Sequence, residues 1–482
     1  MRQMTGADAS YLYMETPTTP MHVVGVLVLD PVSGQVGTDD LIDALAQRLH
    51  LIPPFRRRAV APLGAIDHPI WIEDPNFDLR EHVSAAGLGP AVSWSELETF
   101  VGEVAGRPLR RDRPLWEMWI VEGLDDGKVA LVTKIHHCIM DGGAGGDLMA
   151  SLFDLEADAT PAVPPIEAWI PDNIPSRPLH MLRSIRSFST RMSREAPVAL
   201  ARGASGAVAG ARTWLSQRAA GSETRLSAPR TLLNGPLSAR RTVSLSSVDI
   251  DHVRTIRRTF GTTINDVVLA AAGTALRGYL EERAEIPKTS LVAAAPVNVR
   301  VNAPGSTELD NKVSNMMVGL PMWPEDPVER LAVVHEIAQS SKELHSAVGP
   351  DALGQMTGIA APTVMTALAR AYSRLQLTRF HRPVLNLVVS NIPGPPVDLY
   401  CLGAKVTGVF PMGPLVEGSG LNLTVLSEAK HLNVGIIACP DLIEDVDEIA
   451  ARFGAAVDEL YERALAEELE GSHSPGLEKG GS

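Results

Sequence analysis

Two kinds of apolar period alternate along the chain. Strand-like runs, MHVVGVLVLD (21–30), GKVALVTKIHH (127–137), SLVAAAPVNV (290–299) and HLNVGIIACP (431–440), stand between helical patterns. One such helix is TDDLIDALAQRL (38–49), where Asp39 or Asp40 can serve the helix start, and another is TTINDVVLAAAGTALRGYL (262–280). The second opens with Thr263 and places Asp266 three residues on, the spacing of a capping box in its Asp form, so Asn265 falls in the first helical turn. In 129–135 both alternating sets are largely apolar, Val129, Leu131 and Ile135 on one side and Ala130 and Val132 on the other. That predicts a strand buried on both faces and an α/β fold.

The period fails in EADATPAVPPIEAWIPDNIPSRP (156–178), which is crowded with proline and reads as a surface connection. We therefore divide the chain into an N-terminal domain over 1–160, a Pro-rich connection and Arg-rich helical linker over 161–235, a C-terminal domain over 236–468 and a disordered polar tail over 469–482. No internal repeat is visible. A length of 482 residues suits two cores, since single cores stop growing at about 250–300 residues.

Composition adds exclusions. Hydrophobic residues are 45% and charged residues 21%, and no apolar run reaches the roughly 18 residues of a membrane span. The first twenty residues carry no apolar stretch ahead of a small-residue cleavage site, so a cytoplasmic location is expected. Three scattered cysteines, Cys138, Cys401 and Cys439, give neither a disulfide framework nor a metal ribbon. A net charge of −14 speaks against nucleic acid as a partner.

The chemistry-bearing stretch is KIHHCIMDGG (134–143). Neighbouring residues of a strand face opposite ways, so His136 and His137 are not expected to share a metal ion, and no metal site is assigned. His137 sits where a strand ends and a glycine-rich turn begins, a position that can open onto a cavity. A neutral imidazole there can take the proton of a hydroxyl. Asp141 reads as an anchor shaping the turn. Two alternatives remain open: both histidines as core residues, a reading that suits His136 better, and Cys138 as a nucleophile with His137 as its base, against which a small buried thiol is the favoured reading.

Together with PMHVVG (20–25), FDLREHV (77–83), RPLWEMWIVEGL (113–124), NDVVLA (265–270), PVNVR (296–300) and VSNIPGP (389–395), the HHxxxDG pattern of His136, His137, Asp141 and Gly142 resembles the bacterial wax ester synthase/diacylglycerol acyltransferase family. The resemblance covers most of the chain. It implies two domains like those of CoA-dependent acyltransferases, each a mixed sheet with flanking helices, and an active-site tunnel between them. It also implies His137 as the base, Asn265 as a donor to the oxyanion, Arg300 as the partner of Asp141, and Ser390 and Asn391 near the substrates. Acyl-CoA would be a substrate, with no further cofactor, and diacylglycerol or a long-chain alcohol the acceptor. Triacylglycerol is the favoured product; wax ester, acylation of another lipid hydroxyl, and a catalytically silent lipid-binding protein are the rivals. The chain departs from the family at Arg110, where an acidic residue is usual, and at Glu428, where tyrosine is frequent. Trp116 and Trp119 read as core.

The segment LHMLRSIRSFSTRMSR (179–194) predicts an amphipathic helix, with Leu182, Ile185, Phe188, Ser189 and Met192 on one face and Arg183, Arg186, Arg191 and Arg194 around the others. Two readings are open: peripheral contact with a membrane or lipid droplet, or a helix whose apolar face is buried in the protein itself.

Overall fold

The computed structural model describes residues 1–31, 36–124, 127–139, 152–159, 169–195, 197, 228–298, 313–348 and 362–472. Strand Val129–His136 lies inside a six-stranded sheet, between His22–Asp30 and Trp116–Val121, both antiparallel to it. Val83–Ala85 pairs in parallel with Trp116–Val121 at one edge. The double apolar alternation has its expected result. Leu131 and Ile135 enter a cluster with Leu27, Trp116 and Ile120, while Ala130 and Val132 enter another with Val24, Val26 and Val101.

A second six-stranded sheet runs in the order Val313–Leu320, Leu291–Asn298, Leu387–Pro393, Leu421–Ser427, His431–Ala438 and Thr242–Asp249. It mixes parallel and antiparallel pairs. Helices Ile264–Glu281 and Val446–Ser472 supply Val267, Ala271, Phe453 and Val457 to its apolar cover. A small sheet, with Ile70–Glu73 between Arg2–Gln3 and Arg57–Val60, completes the sheets among the described residues.

The halves exchange structure. Strand Ala404–Met412, late in sequence, pairs with His22–Asp30, placing Phe410 opposite Val26 and Met412 opposite Val24 in the N-terminal sheet. The second sheet packs directly on this visitor: a Cβ at Gly435 would stand 2.4 Å from the carbonyl oxygen of Pro411. The obstacle is backbone, so a rotamer change cannot relieve it. Gly435→Ala should therefore cost about 1–3 kcal/mol, as overpacking does. Urea unfolding that matches the unsubstituted protein would show that the two sheets are not in such close contact.

At the 38–49 pattern the helix is Thr38–Arg48. Gly37, not an aspartate, precedes it, and Asp40 accepts the Gly37 N–H at 2.9 Å, so the carboxylate satisfies the start from inside the first turn.

Candidate active site

The strand that carries the histidine pair ends at His136, and residues 137–139 turn away. Strand alternation therefore stops before His137, which corrects the expectation of strictly opposite faces. One helix, Gly6–Met14, serves both rings from Tyr11 and its C-cap Glu15, which lie four residues apart and so on one helical face. Tyr11 stacks on His137 with centroids 4.1 Å apart and planes at 13°. The backbone N–H of His137 donates to the Met21 carbonyl at 2.9 Å, and the side chain is half-buried.

His136 is fully buried. Its Nδ1 accepts the Cys138 N–H at 3.1 Å, so a neutral ring carries its proton on Nε2, which faces Glu15 Oε2 at 3.5 Å. Burial pushes the His136 pKa down and keeps the ring neutral. Burial would raise the Glu15 carboxyl, but His136 and the Arg111 guanidinium outweigh it and hold the carboxyl well below the usual carboxylate range. Glu15 is thus the charged anchor, paired with Arg111, and His136 is the neutral strut that fixes the turn after the second histidine. Cys138 is buried as well, and burial pushes its thiol far up, so the adjacent-nucleophile alternative lacks a thiolate.

This arrangement makes an acid prediction. His22, His82 and His136 all have depressed pKa values, chiefly through burial, His22 down to about 3. Below the free histidine pKa of about 6.5 the unfolded chain takes up protons that these folded rings refuse, so stability falls with pH. Glu15 acts in the same direction at lower pH, because its depressed carboxyl stabilises only above the unfolded carboxylate pKa. Going from pH 7 to 5 should cost about 2 kcal/mol for each fully shifted histidine. A urea midpoint constant over that range would contradict the neutral, buried assignment.

Asn265 lies in the first turn of helix Ile264–Glu281. The capping box is formed: Thr263 Oγ1 accepts the Asp266 N–H at 3.2 Å, and Asp266 Oδ2 accepts the Thr263 N–H at 2.9 Å. His335 Nδ1 reaches the same Asp266 oxygen at 2.7 Å. The cap is satisfied by its neighbours, and Asn265 is half-buried at this helix N-terminus, where the local potential is positive.

Ser390 and Asn391 are half-buried on strand Leu387–Pro393, whose far end drives Ile392 against the N-terminal apolar cluster. Leu426 of the parallel neighbour enters that cluster too, together with Ile135 and Ile139, which bracket the histidine turn. The strand ends bearing Ser390, Asn391 and His136, and the turn bearing His137, therefore share one apolar junction between the sheets. Asp141, Gly142 and Arg300 lie outside the described residues.

Other sequence readings find their places. Trp116 is core, donating Nε1–H to the Phe55 carbonyl at 2.8 Å. Arg110 is exposed and pairs with Asp112. Glu428 follows strand Leu421–Ser427, and burial pushes its carboxyl up to about 7. Sequence reasoning missed Tyr11, Glu15, Arg111 and His335. Only Arg111 carried a signal, standing beside the departure already noted at Arg110.

The chain matches the wax ester synthase/diacylglycerol acyltransferase catalytic domain over residues 4–268 and the C-terminal domain of the same family over residues 309–461. It is 35% identical over 468 residues to Rv1760 of Mycobacterium tuberculosis, described as a candidate diacylglycerol O-acyltransferase, covering 96% of this chain and 90% of that one. It is 34% identical over 478 residues to Rv3087 of the same organism, which bears the same description, covering 97% and 98%. Among solved structures, the wax ester synthase/diacylglycerol acyltransferase of Marinobacter aquaeolei VT8 superposes with a TM-score of 0.67 at 25% identity, over 96% of this chain and 100% of that one. The trichothecene 15-O-acetyltransferase of Fusarium sporotrichioides, at a TM-score of 0.58 and 14% identity over 96% and 94%, shares the fold. The chain is an acyltransferase, and it belongs to the wax ester synthase/diacylglycerol acyltransferase family.

Proposed function

We propose that this protein transfers an acyl group from acyl-CoA to the hydroxyl of diacylglycerol, releasing triacylglycerol and CoA. The observation that carries the reading is the division of labour in the histidine pair. His136 is locked, neutral and buried, whereas His137 is half-buried at the turn with its ring plane set by Tyr11. A base must meet its substrate, and the half-buried His137 supports that role better than the enclosed His136.

In this scheme the acceptor hydroxyl gives its proton to the His137 imidazole as its oxygen attacks the thioester carbonyl. The tetrahedral oxyanion accepts a hydrogen bond from the Asn265 amide. Its collapse breaks the C–S bond, and the imidazolium returns the proton to the departing CoA thiolate. Arg300 pairs with Asp141 to hold the turn, and Ser390 and Asn391 contact the substrates from the second sheet, both as the family pattern implies. The names of the relatives favour diacylglycerol as acceptor, and that of the Marinobacter protein adds wax ester synthesis.

An acceptor panel decides. With palmitoyl-CoA we expect thiol release and an ester product with diacylglycerol, and less with hexadecanol. Dominant wax ester would reassign the acceptor. Release with none of the lipid alcohols, despite binding of the lipids, would leave the silent-binder reading in its place.

A further inference from the structure

Helix Arg177–Thr190 is turned opposite to the usual sense. His180 and Ser184 are buried, and Ser187 donates to Gln3 Oε1 at 3.0 Å, so a polar face meets the protein. Arg191, in the following turn, pairs inward with the fully buried Asp67 and is not one of the outward cations that the sequence pattern counted. Leu182 (66% exposed), Ile185 and Met192 are left facing solvent. Of the two readings open for this segment, a helix with its apolar face buried in the protein itself does not describe it, because Asp67 and Gln3 hold the polar face instead.

A second helix repeats the inversion. In Pro362–Arg374, Val364, Leu368 (61% exposed) and Ala371 recur at helical spacing on the outside, and Leu375 continues their line. Phe380 beyond it is 80% exposed. The turn Leu63–Ala65 touches both helices and adds an exposed Leu63.

Charge supplies the occupant. Although the chain carries −14 overall, no Asp or Glu occurs in 173–194 or in 352–397. Arg183, Arg186, Arg370, Arg374, Arg379 and Arg382 are all exposed there. None of the six makes an ion pair with a described residue. Exposed apolar side chains flanked by unpaired arginines fit the interface of an anionic bilayer, where the apolar groups enter the acyl boundary and the guanidinium groups meet phosphate. The inward side of the second helix gives this surface a purpose: Met365 packs on the cluster that holds Tyr11, Tyr13, Cys138 and Ile139, and Tyr11 is the residue stacked on His137.

We infer that helices Arg177–Thr190 and Pro362–Arg374, with the turn between them, form one docking surface for anionic phospholipid, set one helix layer from His137. The binding stands by itself; its use in delivering a water-insoluble alcohol rests on the proposed function.

Co-sedimentation of the full chain with vesicles tests it. The protein should bind phosphatidylcholine vesicles containing phosphatidylglycerol and bind pure phosphatidylcholine weakly. The pair Arg183→Gln/Arg186→Gln and the pair Arg370→Gln/Arg374→Gln should each weaken binding roughly 25-fold, about fivefold per arginine. Leu182→Ser/Leu368→Ser should weaken it at unchanged charge. The control Arg254→Gln/Arg258→Gln, on helix Ile250–Thr259, where Arg254 pairs with Asp251 and Arg258 with Glu468, should leave it unchanged. Thermal unfolding of each variant checks that the fold survives these surface changes. No binding by the unsubstituted protein, or equal loss with the control pair, overturns the docking surface. Loss confined to the first arginine pair overturns the two-helix surface. Turnover of a short soluble alcohol should be normal in all these variants; if that activity is absent in the unsubstituted protein while vesicle binding persists, the proposed function fails and the docking surface stands.

Discussion

His137→Ala should lower turnover by about a hundred- to ten-thousand-fold, the range that a positioned general base contributes. The fold should persist, because the ring is half-buried and stacks on the side of Tyr11 without closing a core. His136→Ala should behave differently. It leaves the buried Cys138 N–H without its acceptor, at about 1–3 kcal/mol, and opens a void beside the Glu15–Arg111 pair. Its loss should therefore appear first in the unfolding midpoint, with activity following as the turn shifts. Steady-state kinetics beside urea unfolding separate the two variants. Near-normal turnover by a folded His137→Ala protein would remove the base from the mechanism.

Asn265→Ala should lower kcat by about 10²–10³ with little change in KM, since a donor to the oxyanion acts in the transition state. The capping box of Thr263 and Asp266 does not use the Asn265 side chain, so the helix start should survive. That independence makes the experiment informative. A variant with raised KM and normal kcat would make Asn265 a substrate-binding residue, and a lowered melting temperature with normal kinetics would make it structural.

Much of the site was legible because its signals are local. The double apolar alternation at 129–135 announced a strand buried on both faces, and Leu131 and Val132 do enter separate clusters. Thr263 and Asp266 announced the helix start by spacing alone, and both hydrogen bonds of the box are present. What could not be read depends on distance in sequence. Glu15 reaches His136 and Arg111 only once the first helix has docked, and His335 reaches Asp266 across 69 residues. The exchange of strand Ala404–Met412 into the N-terminal sheet has the same origin: its alternating apolar positions fit either sheet, and pairing with His22–Asp30 is a tertiary choice. Likewise, the pattern of 179–194 fixed which residues share a face but not which face turns inward. Asp67, more than a hundred residues earlier, decides that by holding Arg191.

The central claim is direct transfer from the thioester to a hydroxyl activated by His137, with no acyl group on the protein. Cys138, the thiol nearest the proposed base, is buried and held protonated, so an acyl-enzyme has no prepared nucleophile there. The most direct measurement mixes the enzyme with acyl-CoA, first without and then with diacylglycerol, following CoA release and the intact protein mass together. Direct transfer predicts no burst of CoA and no gain in mass without acceptor, then one ester formed for each CoA released once acceptor is added. A stoichiometric burst of CoA before acceptor is present, with the protein heavier by one acyl group, would contradict it.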